Sequence, residues 1–325
     1  RDMKKLSVVA IALTTLVAGH AFAADASVGK TREQVRAELI QKAVKGRSLW
    51  DDARRRLLTN KAAIAGMIVL GLMVLLAVLG PFLVPFHYDT VTKTDVWMGP
   101  GQAGHVIGTD SLGRDLLSRL IAGLGVSLAI GVVATSVSLL TGVPWGAVAG
   151  YVGGKVDEVM MRVVDTLYSL PFIFFVILLM VTFGRNIFLI FLAIGAVEWL
   201  TMARIVRGQT LSLKQKEFVE AARAAGLSTG QIILRHIVPN LLGPVVVYVT
   251  LTIPAIIIAE SFLSFLGLGV QPPMASLGTL IANGAQDMEL APWLLIFPSL
   301  TMVVTLMAFN FIGDGLRDAL DPKDR

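Results

Sequence analysis

Six blocks of this chain are apolar over about 20 residues each, the length at which a helix rising 1.5 Å per residue crosses ~30 Å of hydrocarbon. They read as 62–84, 125–147, 166–184, 187–206, 241–262 and 293–313. Inside lipid every backbone N–H and C=O must find an internal partner, so such segments fold as helices. Composition points the same way. The 325 residues are 55% hydrophobic and 16% charged, against about 25% charged in soluble domains, and mean hydropathy is +0.73. The expected class is an all-α integral membrane protein with six transmembrane helices. The third and fourth spans are joined only by Gly184-Arg185-Asn186, which predicts a tight hairpin. The chain has no cysteine, which excludes a disulfide framework, an iron–sulfur cluster and a thiolate zinc site.

Lys and Arg set the orientation, because positive charge collects on the cytoplasmic flanks of spans. With the N-terminus inside, seven basic residues (Lys42 to Lys61) precede the first span, and Lys155 and Arg162 follow the second. Six, from Arg204 to Arg235, follow the fourth, and Arg317, Lys323 and Arg325 follow the sixth. The outer loops hold only Lys93, Arg114, Arg119 and Arg185. Both ends of the six-span core belong in the cytoplasm. The net charge of +5 reads as topogenic, and no nucleic-acid partner is expected.

The first residues do not fit that frame. Met3-Lys4-Lys5, an apolar run from Leu6 to Gly19 and Ala21-Phe22-Ala23 resemble a secretory signal with its small-residue cleavage site. Cleavage there, or retention as a seventh helix, would put the basic run before residue 62 outside, against the charge bias. Residues 1–44 therefore read as a signal-peptide-like fusion segment, 45–61 as a cytoplasmic basic segment and 62–325 as the transmembrane domain.

Between the fourth and fifth blocks lies a charged stretch, 207–240. Ser212 to Ala225 favours a helix, and Gly226 ends it by permitting a left-handed backbone. Ser228 and Gln231 have capping-box spacing for a second helix over 230–238, with Pro239 marking a bend before the next span. Ala221, Ala222, Ala224 and Ala225 are small enough for close approach to a partner groove, and Glu217, Glu220 and Arg223 supply charge.

The spacing Glu220-Ala221-Ala222, Gly226, Pro239 closely resembles the EAA loop of binding-protein-dependent ABC importer permeases. Gly108-to-Arg119, Ser261-to-Pro273 and Gly313-to-Lys323 are similar to segments of the peptide and nickel permeases. Gly46-to-Arg56 and Ala203-to-Lys214 look like the C-type subunit of oligopeptide importers. His236 and Val238 depart from the usual isoleucine and leucine, and Leu277 replaces a common tryptophan. The resemblance covers about 46–325. It implies the type I ABC importer permease fold in the bacterial inner membrane and oligopeptide translocation, with dipeptides or nickel chelates as alternatives. It also implies that Glu217, Glu220, Ala221, Ala222, Arg223, Gly226 and Pro239 couple to an ATPase. The partners implied are a paralogous B-type permease, two cytoplasmic ATPases that carry ATP and Mg, a periplasmic peptide-binding protein and membrane lipid. No cofactor is expected on this chain: its nearest approach to a phosphate loop, Ser27-to-Thr31, has Ala24 where the first glycine belongs.

Two rival classes were weighed. An ion-coupled secondary transporter needs buried ionisable residues, and the intramembrane acids are few. Glu198 and Glu260 are the candidates, either as lining of the translocation path or as helix caps and partner contacts. An intramembrane protease is disfavoured because Asp89 and Asp314 fall at opposite membrane faces, and His20, His87, His105 and His236 are scattered without H-E-x-x-H. On the outer side, segments 98–120 and 263–292 are expected to form the docking face for the binding protein. A helix is predicted from Ser111, capped by Asp110 or Ser111, with Arg114 and Asp115 facing water or a partner.

Overall fold

The computed structural model describes residues 49–184 and 186–320. The fusion reading of 1–44 and the basic residues Lys42, Lys45, Arg47, Arg185, Lys323 and Arg325 fall outside the described residues. Those described form helices joined by turns and loops, with two isolated β-bridges in the loop before residue 116. A short amphipathic helix, α1 (Leu49–Leu57), precedes the first span, α2 (Lys61–Leu83). Asn60 caps α2 by accepting from the N–H groups of Ala62 and Ala63.

Among the described residues, five helices are long and apolar enough to cross a membrane, and a bent pair makes a sixth if its two helices count as one span. The second span is α3 (Leu116–Val152), 37 residues long. At 1.5 Å per residue that is about 55 Å, well over the ~30 Å of hydrocarbon a span must cross. The expected uninterrupted third span over 166–184 is corrected. Helix α4 (Gly154–Tyr168) stops at Ser169, and α5 (Phe172–Phe183) restarts after an 81° bend. Pro171 is the reason: it is extended (φ −61°, ψ 122°) and disfavours helix in the residue before it. Alone, α5 spans only about 18 Å, too short for a crossing.

The fourth span, α6 (Ile187–Leu213), runs seven residues further than the apolar block. It leads to α7 (Glu217–Ala224) and α8 (Thr229–Ile232), then to a π-helical turn over Ile233–Ile237. The fifth span, α9 (Val238–Phe265), a short outer helix, α10 (Leu277–Gln286), and the sixth span, α11 (Trp293–Leu320), complete the fold.

The most extensive helix pairing is α3 with α6, and glycine makes it close. Gly142, Gly146 and Gly150 lie four residues apart on one face of α3. A Cβ on Gly146 would sit 2.3 Å from the Ala203 carbonyl oxygen. One on Gly142 would lie 2.8 Å from the Trp199 carbonyl, and one on Gly150 2.8 Å from that of Arg207. Small residues let backbones approach in lipid, where helix association rests on packing, interhelical hydrogen bonds and lipid entropy. The Trp145 and Trp199 rings meet edge-on at 5.3 Å across the same interface. At the inner end, Arg207 of α6 binds Asp157 of α4 through two hydrogen bonds of 2.5 and 2.6 Å.

Candidate functional site

The inner site is the hairpin from α7 to the π turn. Its first helix starts at Glu217, not at Ser212 as expected. Ser212 and Leu213 finish α6, and Lys216, extended at φ −86° and ψ 145°, precedes α7. Gly226 adopts φ +79°. Its N–H donates to the Arg223 carbonyl and the Leu227 N–H to the Ala222 carbonyl, the two bonds of a Schellman stop. The predicted capping box is present: Gln231 N–H donates to Ser228 Oγ, and Ser228 N–H to Gln231 Oε1.

The helix does not break at Pro239, and the helical path continues from Thr229 to Phe265. The π turn explains this. The Val238 N–H reaches back five residues to the Ile233 carbonyl, so the wider turn absorbs the donor that proline lacks. Pro239 is exposed at the second position of α9.

The two faces of α7 differ. Val219 and Ala222 are buried in one cluster with Ala147 and Tyr151 of α3, Met202 and Val206 of α6, and Ile232, Ile237 and Leu241. Ala222 therefore packs inward, and its small size serves the chain's own core. Glu217, Glu220, Ala221, Arg223, Ala224, Ala225 and Gly226 are exposed. Tyr151 is the hinge of this packing: the Arg223 guanidinium lies 5.9 Å and Lys214 Nζ 5.7 Å from its ring centroid. The Arg223 Nη2 also donates to the Tyr151 hydroxyl at 3.5 Å, which is the first cause raising Arg223 above its ordinary pKa. Sequence reasoning missed the exposed apolar side chains Phe218 and Leu234. The signal for Phe218 was its spacing with Ala221 and Ala225 on the outward face of the helix.

The two intramembrane acids are placed differently. Glu198 is half-buried and borders a cleft of about 530 Å³ beside the break at Tyr168–Pro171. Arg204 stacks over Tyr168 at 4.1 Å and bonds Asp165 at 2.8 Å. Glu260 is fully buried. Its Oε1 accepts from Ser264 Oγ at 2.6 Å and Ser276 Oγ at 2.7 Å. Ser276 also caps α10, and the Leu277 N–H donates to Ser127 Oγ at 3.0 Å. Glu260 thus ties α10 to α9 inside the protein.

At the opposite end of the bundle, the loop before α3 differs from expectation. No helix starts at Ser111; α3 starts at Leu116 with Asp115 as its cap. Asp110 is engaged in a turn, accepting from the N–H groups of Leu112 and Arg114 and from Arg114 Nε at 2.7 Å. Asp115 does not face water: it is buried and accepts from the Ser118 N–H. Its second oxygen lies 2.9 Å from His105 Nδ1, and His105 stacks on Phe86 at 4.3 Å. Nearby His87 bonds Asp89 and holds that carboxyl below its usual range. No cluster with the makings of a metal site occurs among the described residues.

The family model for the inner membrane component of binding-protein-dependent transport systems matches residues 142–325. The chain belongs to that family. The model for the N-terminal domain of oligopeptide transport permease C matches 48–100, and one for a domain of unknown function matches 3–54. The oligopeptide transport system permease protein OppC of Escherichia coli is 59% identical over 283 residues, 87% of this chain and 94% of that one. OppC of Haemophilus influenzae is 54% identical over 294 residues, 90% and 94% of the two chains. The dipeptide permease DppC of Bacillus subtilis is 46% identical over 279 residues, 86% and 87%. A crystal structure of the MetNI methionine ABC transporter, inward facing, matches with a TM-score of 0.52 at 19% identity, over 62% of this chain and 96% of that one. The fold is that of a type I ABC importer permease, and the protein is a multi-pass component of the inner membrane.

Proposed function

We propose that this chain is the C-type translocation subunit of an ATP-driven importer of oligopeptides. It pairs with a B-type permease, rests on two cytoplasmic ATPases that hold ATP and Mg, and receives cargo from a periplasmic peptide-binding protein. The observation that carries the reading is the two-faced α7. Val219 and Ala222 anchor it in the membrane core, while Glu217, Glu220, Ala221 and Arg223 stay exposed to meet another chain. A motion imposed on that exposed face then reaches the spans without a flexible joint. The ATP-bound and ATP-free partner would favour different arrangements of the helices, giving alternating access. The higher identity to the oligopeptide permeases of Escherichia coli and Haemophilus influenzae than to the Bacillus subtilis dipeptide permease supports the substrate class.

The test is uptake of labelled tri- to pentapeptides into vesicles holding the reconstituted complex. ATP-dependent accumulation of peptide is expected. Transport of nickel without peptides would overturn the substrate reading, and uptake driven by an ion gradient without ATP would overturn the coupling reading.

A further inference from the structure

Two adjoining clefts open at the outer end of the bundle, and the same two arginines border both. The first, about 290 Å³, lies between the 110–114 turn, α10 and the start of α11. The second, about 170 Å³, lies between α10 and the chain from Ser264 to Met274. Arg114, Arg119 and Asn283 line each of them.

In the smaller cleft the charge is not balanced. Arg119 is only 3% exposed. Its Nε is 3.5 Å from Asp110 Oδ2 without forming a hydrogen bond, and its Nη1 makes one long contact of 3.4 Å to the Tyr88 carbonyl. Asp110 is already committed to Arg114 at 2.7 Å. One carboxylate therefore serves two guanidinium groups, each with five donors. The first cleft adds Asp287 to its lining, but the second contains no acid at all. Its other polar lining is neutral: Ser264, Gln271, Thr279 and Asn283. A buried cation with unfilled donors is costly unless an anion completes it.

We propose that this pair of clefts, centred on Arg119, binds the C-terminal carboxylate of the peptide cargo as it enters from the outer side. The inference rests on the oligopeptide reading above. Cargo of varied side chains can be gripped only through what all peptides share, and a terminal carboxylate matches a guanidinium fork in charge and shape. The smaller cleft takes the carboxylate, and the larger takes the last side chain, whatever its chemistry.

The test compares one labelled tripeptide as the free acid and as the C-terminal amide, using the complete complex with its binding protein in proteoliposomes. Affinity of the loaded binding protein for the complex is measured in parallel. Arg119→Gln removes the charge and keeps much of the bulk. It is expected to cut free-acid uptake about tenfold or more, as losing a hydrogen bond to a charged group does, and to leave amide uptake near the wild-type value. Asn283→Trp, which fills both clefts and leaves both arginines, is expected to slow both peptides and keeps the test open should Arg119→Gln misfold. Equal losses for acid and amide in Arg119→Gln, with weaker docking of the binding protein, would overturn the proposal and make the arginine a protein contact. Unchanged uptake in both variants would also overturn it. Failure of the wild-type complex to transport either peptide would instead refute the oligopeptide reading.

Discussion

Gly146→Ala measures how much the fold depends on close contact between α3 and α6. The added Cβ would sit 2.3 Å from the Ala203 carbonyl oxygen and 2.9 Å from both Arg207 N and Val206 Cβ. Two of these three neighbours are backbone atoms, so no side chain can swing away. Restoring an ordinary contact parts the helices by about 1 Å, a gap that forfeits a quarter to a half of each van der Waals well. Over a few tens of atom pairs worth ~0.1–0.2 kcal/mol each, the loss is about 1–2 kcal/mol, within the usual range for an overpacked core. Alanine's better helix propensity returns up to ~1 kcal/mol, so a control is needed. Gly208 on α6 provides it, because a Cβ there meets nothing within 4 Å. Gly208→Ala gains the propensity without the clash, and the difference between the variants isolates the clash at about 1–2 kcal/mol. Unfolding of the purified chain in detergent, followed by tryptophan fluorescence, reads it directly, since Trp145 and Trp199 meet across this interface. If the two variants unfold alike within ~0.5 kcal/mol, the close-packing argument is wrong.

Three further outcomes are expected. Gly226→Ala forces a left-handed backbone at φ +79° on a residue with a Cβ, costing about 1–2 kcal/mol; faster amide exchange in α7 is the readout, with Gly226→Asn milder. Glu220→Lys should leave membrane insertion and thermal stability intact, since the residue is exposed, while lowering peptide moved per ATP hydrolysed; an unchanged ratio would remove Glu220 from the coupling surface. Ser276→Ala takes a donor from buried Glu260 and the cap from α10, so a loss of about 2 kcal/mol is expected in thermal unfolding, and none would show that Glu260 does not tie the outer helix down.

Hydropathy made the spans legible because lipid imposes a length and an apolar character on each. It did not show where helices stop, since backbone preferences act on single residues that a window averages away. Leu170-Pro171 is as apolar as its surroundings, yet Pro171 divides the third crossing into α4 and α5. Asp110 and Asp115 both look like caps. Only the fold shows that Asp110 is held by Arg114 in a turn, leaving Asp115 to cap α3. In the α7–α8 hairpin, Gly226 and the Ser228–Gln231 box were readable because both are local backbone chemistry. The inward turn of Ala222 was not, because an alanine-rich helix has no strong apolar stripe to fix its phase. Its burial follows from Tyr151 and Ile232, which lie 71 residues before it and 10 after it in the chain. The continuous helix through Pro239 includes a π turn that no residue pattern announces.

The packing around α7 also says which spans a push from below would move. Val219 and Ala222 touch one continuous core that includes α3 through Ala147 and Tyr151, α6 through Met202 and Val206, and α9 through Leu241 and Val245. Such interiors are close-packed and transmit displacement with little compression. The π turn joins α8 to α9 without a break, and the two hydrogen bonds of Arg207 to Asp157 join α6 to α4. The hairpin, α3, α6 and α9 therefore share one packed core, and the ion pair ties α4 to it; under the proposed function they would move as one body. The bend between α4 and α5 lies at the edge of that body and beside the cleft bordered by Glu198. A rigid-body motion driven through α7 would change the shape of this cleft before it disturbed the interior around Glu260. Under the proposed transport function, Glu198 would be the acid placed to meet cargo, whereas Glu260 ties α10 to α9 through Ser276 and Ser264.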